Sequence, residues 1–274
     1  IVTVADGDEP VAALDLYNFA TELSFEVVSI GKGKNNPFNR FATPDLLAKE
    51  ASSKKMNPKM LTSFVDGSKT MVEMAALANF LDFKIDVDGM HGIEATYENI
   101  NQYYIPKKDG GLLENTQVVD FAFGIAPGVF AVIYSEDDYV NYEMEYLKMG
   151  KGPFWTLARP YHLTSLEIPR TIRHIMLENY SKLSAKSWNV EVVTYAKQHI
   201  EPGTNLGSIG GDYIYGKAQK VSSSKGLLPL GIAEDNIVNK VIKKGDPLTA
   251  HDIDAQDNAL CEYWNMQNQI MNSD

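Results

Sequence analysis

Cysteine is nearly absent, with Cys261 alone among 274 residues. A single thiol cannot close an internal disulfide, and secreted proteins of this size more often carry pairs, so a reducing, cytoplasmic setting is expected. Basic blocks are missing as well: the net charge is -11, with 25 Lys and Arg dispersed among 36 Asp and Glu. No positive stripe is available to follow a phosphate backbone, which argues against a nucleic-acid partner. The longest apolar stretch, residues 118–134, contains Asp120, Pro127 and two glycines, and it suits two buried strands joined by a turn rather than a bilayer span, so no membrane partner is expected. The first ten residues carry no basic segment and turn acidic early, unlike a secretory signal. The Asn179-Tyr180-Ser181 sequon has no meaning in a cytosolic protein.

Several chemical signatures are also missing. No G-x-G-x-x-G follows a strand, and there is no H-E-x-x-H, paired-cysteine zinc pattern, G-x-S-x-G elbow or G-x-x-x-x-G-K-[ST] loop. His91 near Asp86 and Asp88 is too loosely spaced for a metal site, so no metal is expected.

What is present is a mixed α/β pattern. The opening IVTVAD is apolar and β-branched and reads as a buried strand ending at Gly7. Residues 11–23 have helical apolar spacing, and residues 25–30 form a second apolar strand. Strand, helix and strand predict a βαβ unit with a ligand crevice at the carboxyl ends of its strands, where residues 31–36 would form a loop. Further on, residues 44–53 predict a helix with Thr43 as N-cap and Pro44 in its first turn. Residues 69–80 predict a stronger helix, residues 118–123 and 129–134 strands, and residues 165–179 a closing helix. The last ninety or so residues become short strands broken by Gly, Pro and Ser. There AKQHIEPGTNL, residues 196–206, is echoed by NKVIKKGDPLT, residues 239–249, suggesting a small β-rich domain with internal pseudo-symmetry.

Three clusters place polar groups beside glycines. In GKGKNN, Lys32, Lys34 and Asn35 would project from the loop after the second strand, with Gly31 and Gly33 giving a ligand access to the backbone; the alternative is a plain solvated loop. In FVDGSKTMVEM, Asp66 or Ser68 can cap a helix whose free N–H groups favour an anion, and Lys69 and Glu73 lie one turn apart, which alone would be an ordinary exposed ion pair. In LKMGKGPFWTLARPYHL, Lys148, Lys151, Arg159 and His162 would suit a phosphate or carboxylate, unless Trp155 and Tyr161 simply anchor a surface loop.

Taken in order, VADGDEP, VVSIGKGKNN, SFVDGSKTMVEMA, GGLL with VVDFAFGIAPGVF, LKMGKGPFWTLARPYHL and KGLLPLGIA resemble homoserine-dehydrogenase-like oxidoreductases with a C-terminal SAF domain. That family includes the deoxyxylulose-phosphate-reductoisomerase-like enzymes. The resemblance implies a front Rossmann half that this chain lacks and that would bind most of an NADP or NAD cofactor, leaving Asp6, Asp8 and Gly31 as further cofactor contacts. It also implies Lys32 beside the nicotinamide as the group transferring a proton at the substrate oxygen, with Lys69 and Asp66 lining the same pocket. Lys34, Asn35, Glu73, Lys148, Lys151, Arg159 and His162 would bind the substrate.

The expected layout is therefore α/β in three segments: residues 1–40 as the remnant of a Rossmann sheet, 41–186 as a central substrate and dimerisation domain, and 187–274 as a β-rich SAF, or β-clip, domain. The expected activity is an NAD(P)-dependent oxidoreductase, inactive without its front half, acting on a small anionic carbonyl or hydroxyl compound and assembling as a homo-oligomer. The alternatives are a reductoisomerase on a phosphorylated sugar, with Arg159, Lys148 and Lys151 on the phosphate, or a non-catalytic module binding a sugar acid or a partner through its tail.

Overall fold

A computed structural model describes residues 3–178, 184–254 and 258–271; the Asn179 sequon and the end of the helix expected to reach it lie outside the described residues. In chain order the elements are helix α1 (Glu9–Glu22), strand β1 (Glu26–Lys34), helices α2 (Pro44–Ser53), α3 (Pro58–Val65) and α4 (Ser68–Leu81), strand β2 (Ile93–Glu94) and short helix α5 (Ile100–Tyr103). Strands β3 (Val118–Phe123) and β4 (Val129–Tyr134), helix α6 (Asp138–Tyr146), strand β5 (Phe154–Arg159) and helix α7 (Ile168–Glu178) follow. The chain continues with strands β6 (Val190–Ala196) and β7 (Ile214–Lys220), single turns α8 (Val221–Ser224) and α9 (Leu230–Ala233), strands β8 (Ile237–Val238) and β9 (Ile253–Asp254), and helix α10 (Ala259–Met271). Among the described residues no helix is long and apolar enough to cross a membrane.

Two compact units result, and they cut the chain differently from the three expected segments. The first holds Ile1–Asn35 with Val72–Val190, and the second holds Asn36–Met71 with Glu191–Asp274. Residues 1–35 share the first unit with the central sheet.

The first unit is built on a five-stranded mixed sheet in the order β2-β3-β1-β4-β5. Strands β2, β3 and β1 run parallel, whereas β4 is antiparallel to both β1 and β5. Of IVTVAD, Ile1 and Val2 lie outside the described residues, and the described residues 3–6 are irregular rather than a strand. The end of the segment is bound elsewhere. The Asp6 N–H donates to Thr171 Oγ1 at 2.9 Å, and Gly7 bridges to Thr164. The expected first βαβ unit is therefore not formed.

GKGK likewise is not a loop; it is the carboxyl half of β1, buried throughout. Alternation along β1 sends Ile30, Lys32 and Lys34 to one face and Ser29, Gly31 and Gly33 to the other. Helix α1 covers the first of these faces, lying along β1, β4 and β5. The second face packs on a core of Val28, Ile100, Tyr104, Leu113, Val118, Ala122, Phe130 and Val132.

In the second unit, α2 begins as its sequence suggests, with Thr43 Oγ1 accepting from the Leu46 N–H and Pro44 in the first turn. It packs on α3 through Ala42, Leu47, Ala51, Leu61 and Val65. The C-terminal part carries the echo as a pseudo-two-fold in the backbone. Ile200 and Ile242 exchange both N–H···O bonds, at 2.9 and 3.0 Å. Gly203 donates to Val238 as Gly245 donates to Ala196, and Leu206 donates to Asn236 as Leu248 donates to Thr194. Gly203 and Gly245 both have positive φ, near 85°, which the turn requires and glycine allows. Leu206 and Leu248 are both fully buried beyond their turns.

Candidate active site

The Lys32 face of the sheet carries a buried ionic cluster. Lys32 is 5 % exposed, and its Nζ lies 2.7 Å from Oε1 of Glu9, in the first turn of α1, while also donating to Oε2 of Glu73 on α4. An ammonium at this depth needs compensating charge, and two carboxylates overcompensate, leaving the trio one negative charge in excess. His162 stands beside it, with Nε2 3.6 Å from Glu9 Oε1 and Nδ1 3.0 Å from the Gly7 carbonyl oxygen. A carbonyl can only accept, so a proton on Nδ1 points at Gly7, and Nε2 faces Glu9. The cluster is thus a chain of acid–base groups at the carboxyl end of a parallel strand. Lys34, two residues on and on the same face, is also buried, while Asn35 is exposed.

Asp6 and Arg159 belong to an adjoining network. Asp6 is completely buried, accepts from Thr171 Oγ1 at 2.9 Å and meets His174 Nδ1 at 3.2 Å, with Arg170 Nη2 at 3.7 Å. Arg159, at the end of β5, pairs with Asp15 at 3.3 Å and with Glu167, and its guanidinium lies 5.0 Å from the Tyr161 ring centre. Arg170 bonds the other Glu167 oxygen at 2.7 Å and Asp15 at 3.2 Å. Burial pushes the Glu167 carboxyl up, but the Arg170 hydrogen bond, the Arg159 charge and the Leu163 N–H together hold it below its ordinary value.

The third sequence cluster is therefore not one cluster. Lys148 and Lys151 sit in the turn before β5, while Arg159 ends that strand and His162 lies beyond it. At about 3.4 Å per residue, roughly 17 Å of strand separates the two groups. Lys151 instead lines a cavity of about 620 Å³ together with Glu98, Asn101, Asp109 and Phe154.

The opposite face of the sheet carries a group that its sequence did not advertise. Asp120 of β3 is fully buried and accepts from the N–H groups of His91, Gly92 and Phe121 and from Tyr104 Oη. His91 Nδ1 lies 2.9 Å from Asp120, and its Nε2 is 3.6 Å from Asp86. The only sequence signal was a carboxylate inside an apolar strand, VVDFAF. Among the described residues no group of three or more His, Cys, Asp or Glu is placed to hold a metal ion.

In the second unit Asp66 is held by the start of α4 and by a lysine. Its side chain is fully buried, with Oδ1 accepting from the Ser68 N–H at 2.8 Å and Oδ2 lying 2.8 Å from Lys197 Nζ. Lys69 stands one turn before Glu73 on α4, its ammonium 5.0 Å from the Phe64 ring centre. Glu73, expected as a substrate ligand, is a partner of Lys32. Glu9, next to Pro10 and unremarkable as a residue, was missed.

The family model for the catalytic domain of oxidoreductase DRL matches residues 7–168. The chain belongs to this oxidoreductase family. The matched stretch of the DRL catalytic domain contains Glu9, Lys32, Glu73, Arg159, His162 and Glu167, so the Lys32 cluster lies wholly within it. A comparison with curated proteins finds no match.

Proposed function

We propose that this DRL-family oxidoreductase acts on a small anionic carbonyl or hydroxyl compound, with Lys32 as the group that gives a proton to, or takes one from, the reacting oxygen. The observation that carries this is the burial of the Lys32 ammonium between Glu9 and Glu73, with His162 next in line. A charged donor held in a water-poor site stabilises a developing alkoxide far better than water does, because its position is fixed before the reaction begins. The two glutamates hold the Lys32 side chain in place, and His162 stands next to Glu9.

The resemblance to homoserine-dehydrogenase-like enzymes names NADP or NAD as the hydride carrier. The three residues expected to touch it do not fit that role as a set. Asp6 is buried under Thr171 and His174, and Gly31 is packed against the backbone of β3, which leaves Asp8 at the start of α1 as the partly exposed member. The reductoisomerase reading loses its phosphate cradle, since Arg159 is paired with Asp15 and Glu167, away from Lys148 and Lys151. For the C-terminal unit, the pseudo-two-fold of its turns supports an SAF-like module that joins subunits or covers the substrate.

The test compares two folded variants. Glu73→Gln keeps Lys32 and one carboxylate, whereas Lys32→Met with Glu73→Gln removes the lysine while the cluster keeps its charge of minus one. The double variant is expected to lose at least about 100-fold in kcat relative to Glu73→Gln, the ordinary size of a general acid–base contribution. Equal turnover in the two variants, with circular dichroism unchanged, removes Lys32 from the mechanism.

A further inference from the structure

The cavity that Lys151 lines is enclosed by two stretches of the first unit. Residues 98–109 contribute Glu98, Asn101, Ile105 and Asp109, and residues 149–154 contribute Met149, Lys151 and Phe154. At about 620 Å³ it falls within the roughly 300–1,000 Å³ usual for small-molecule sites. It belongs to the second face of the sheet, since Ile105 is part of the buried core there and Phe154 packs against that core. Lys32 lies on the other face, so this cavity and the ionic cluster are separate places.

Both stretches are tied down. Asn101 Nδ2 donates to the Phe154 carbonyl oxygen at 2.9 Å, which joins one stretch to the other, and Trp155 Nε1 donates to the Gly150 carbonyl oxygen at 3.1 Å. Gly152 sits so close to Asn141 that a Cβ would overlap its Oδ1. A ligand therefore meets walls already in place and spends little of its affinity on ordering them.

The polar groups of the lining are uncommitted. Among the described residues Glu98, Asp109 and Lys151 form no ion pair. A hydrogen bond from the Thr96 side chain, and next its own N–H, hold the Glu98 carboxyl below its ordinary value, so it is ionised at neutral pH. The amide nitrogen of Asn101 is spent on Phe154, whereas its Oδ1 is buried with no hydrogen-bond partner. A buried acceptor without a donor is uncommon, because it forgoes water and gains nothing in return.

These groups select a ligand by its charges. Two carboxylates and one lysine leave the lining one negative charge in excess, which disfavours a simple anion. A simple amine would leave Lys151 without a counter-charge. A molecule carrying both an ammonium and a carboxylate answers all three residues, and its ammonium is also the kind of donor that Asn101 Oδ1 lacks. Ile105, Met149 and Phe154 offer apolar surface to a hydrocarbon side chain.

We propose that this cavity binds a small zwitterion of the apolar α-amino-acid class, with its ammonium towards Glu98, Asp109 and Asn101 and its carboxylate towards Lys151. The site stands without the Lys32 reading, since binding and turnover are measured separately.

The experiment uses the whole chain and titration calorimetry at low ionic strength. L-leucine is the probe, with isoamylamine, which lacks its carboxylate, and isocaproate, which lacks its ammonium, as comparisons. Saturable binding of leucine is expected, at least about 10-fold tighter than either comparison, the size of one lost charge-assisted contact. Lys151→Met should bring leucine down to the affinity of isoamylamine while leaving isoamylamine itself unchanged. Glu98→Gln combined with Asp109→Asn should abolish the binding of both, and Lys108→Met, beside the cavity but outside its lining, should alter neither. All four side chains are exposed, so the variants are expected to fold. No saturable leucine binding, equal affinity for either comparison, or undiminished leucine binding in the Lys151 variant or in the Glu98 and Asp109 variant each overturns the proposal.

Discussion

Gly31 and Asp120 stand in register on β1 and β3, and a methyl group on Gly31 would overlap the Asp120 carbonyl oxygen. A glycine that looks like a ligand's approach is here the condition for two strands to lie side by side. Gly33 is similarly closed, against the backbone of Ala126. Gly31→Ala should destabilise the protein by about 1–3 kcal/mol, the usual cost of overpacking a filled site. Urea unfolding measures it, and an unchanged midpoint would show that the strands can part freely.

The buried trio predicts a strong coupling between Lys32 and Glu73. Lys32→Met leaves Glu9 and Glu73 facing each other in a low-dielectric site and should cost about 3–5 kcal/mol. Adding Glu73→Gln should recover most of that loss. Denaturant melts of the wild type, both single variants and the double variant give the interaction directly, and additive effects would mean the groups do not interact.

Acid should weaken the first unit through Glu167. Its folded carboxyl lies below the ordinary value of 4.5, so the unfolded chain binds the proton first. The stabilisation is present above about pH 4.5 and is lost as pH falls through the lower folded value. Glu167→Gln should flatten this acid limb, which a set of thermal melts between pH 3 and 6 resolves.

Alkali should act through Tyr104, the reverse case. Burial, and next the charge of Asp120, hold its phenol well above the ordinary 10.0. The stabilisation is full below about pH 10 and disappears as pH rises through the folded value. Tyr104→Phe should remove that alkaline limb while costing about 1–3 kcal/mol at neutral pH, since the Phe121 carbonyl and Asp120 each lose a donor. Melts of the two proteins from pH 8 to 11 separate the two effects.

Local signals carried the elements whose stability is local. Thr43 and Pro44 marked the start of α2, and the apolar runs of β3 and β4 gave their ends correctly, because a cap and a strand period are written in adjacent residues. IVTVAD has strand composition, yet its Asp6 amide is claimed by Thr171, far along the chain, which no window can anticipate. GKGK looked like punctuation because the reason for its glycines lies on β3. Lys32 was legible as a chemical group. Its partner Glu9 was not, since their contact depends on α1 folding back across the sheet, and Lys148 and Lys151 looked like neighbours of Arg159 only because the length of β5 is invisible in a row of letters.

The pseudo-two-fold of the C-terminal unit holds together through main-chain bonds that ask little of the side chains between them. At the tips of the two matching turns stand Pro202 and Lys244, equivalent in place and unlike in chemistry, and Lys244 rests on the ring of Phe41. Duplicated architecture of this kind frees one copy to specialise while its twin goes on closing the fold, so a new binding property can be acquired at one tip without endangering the other.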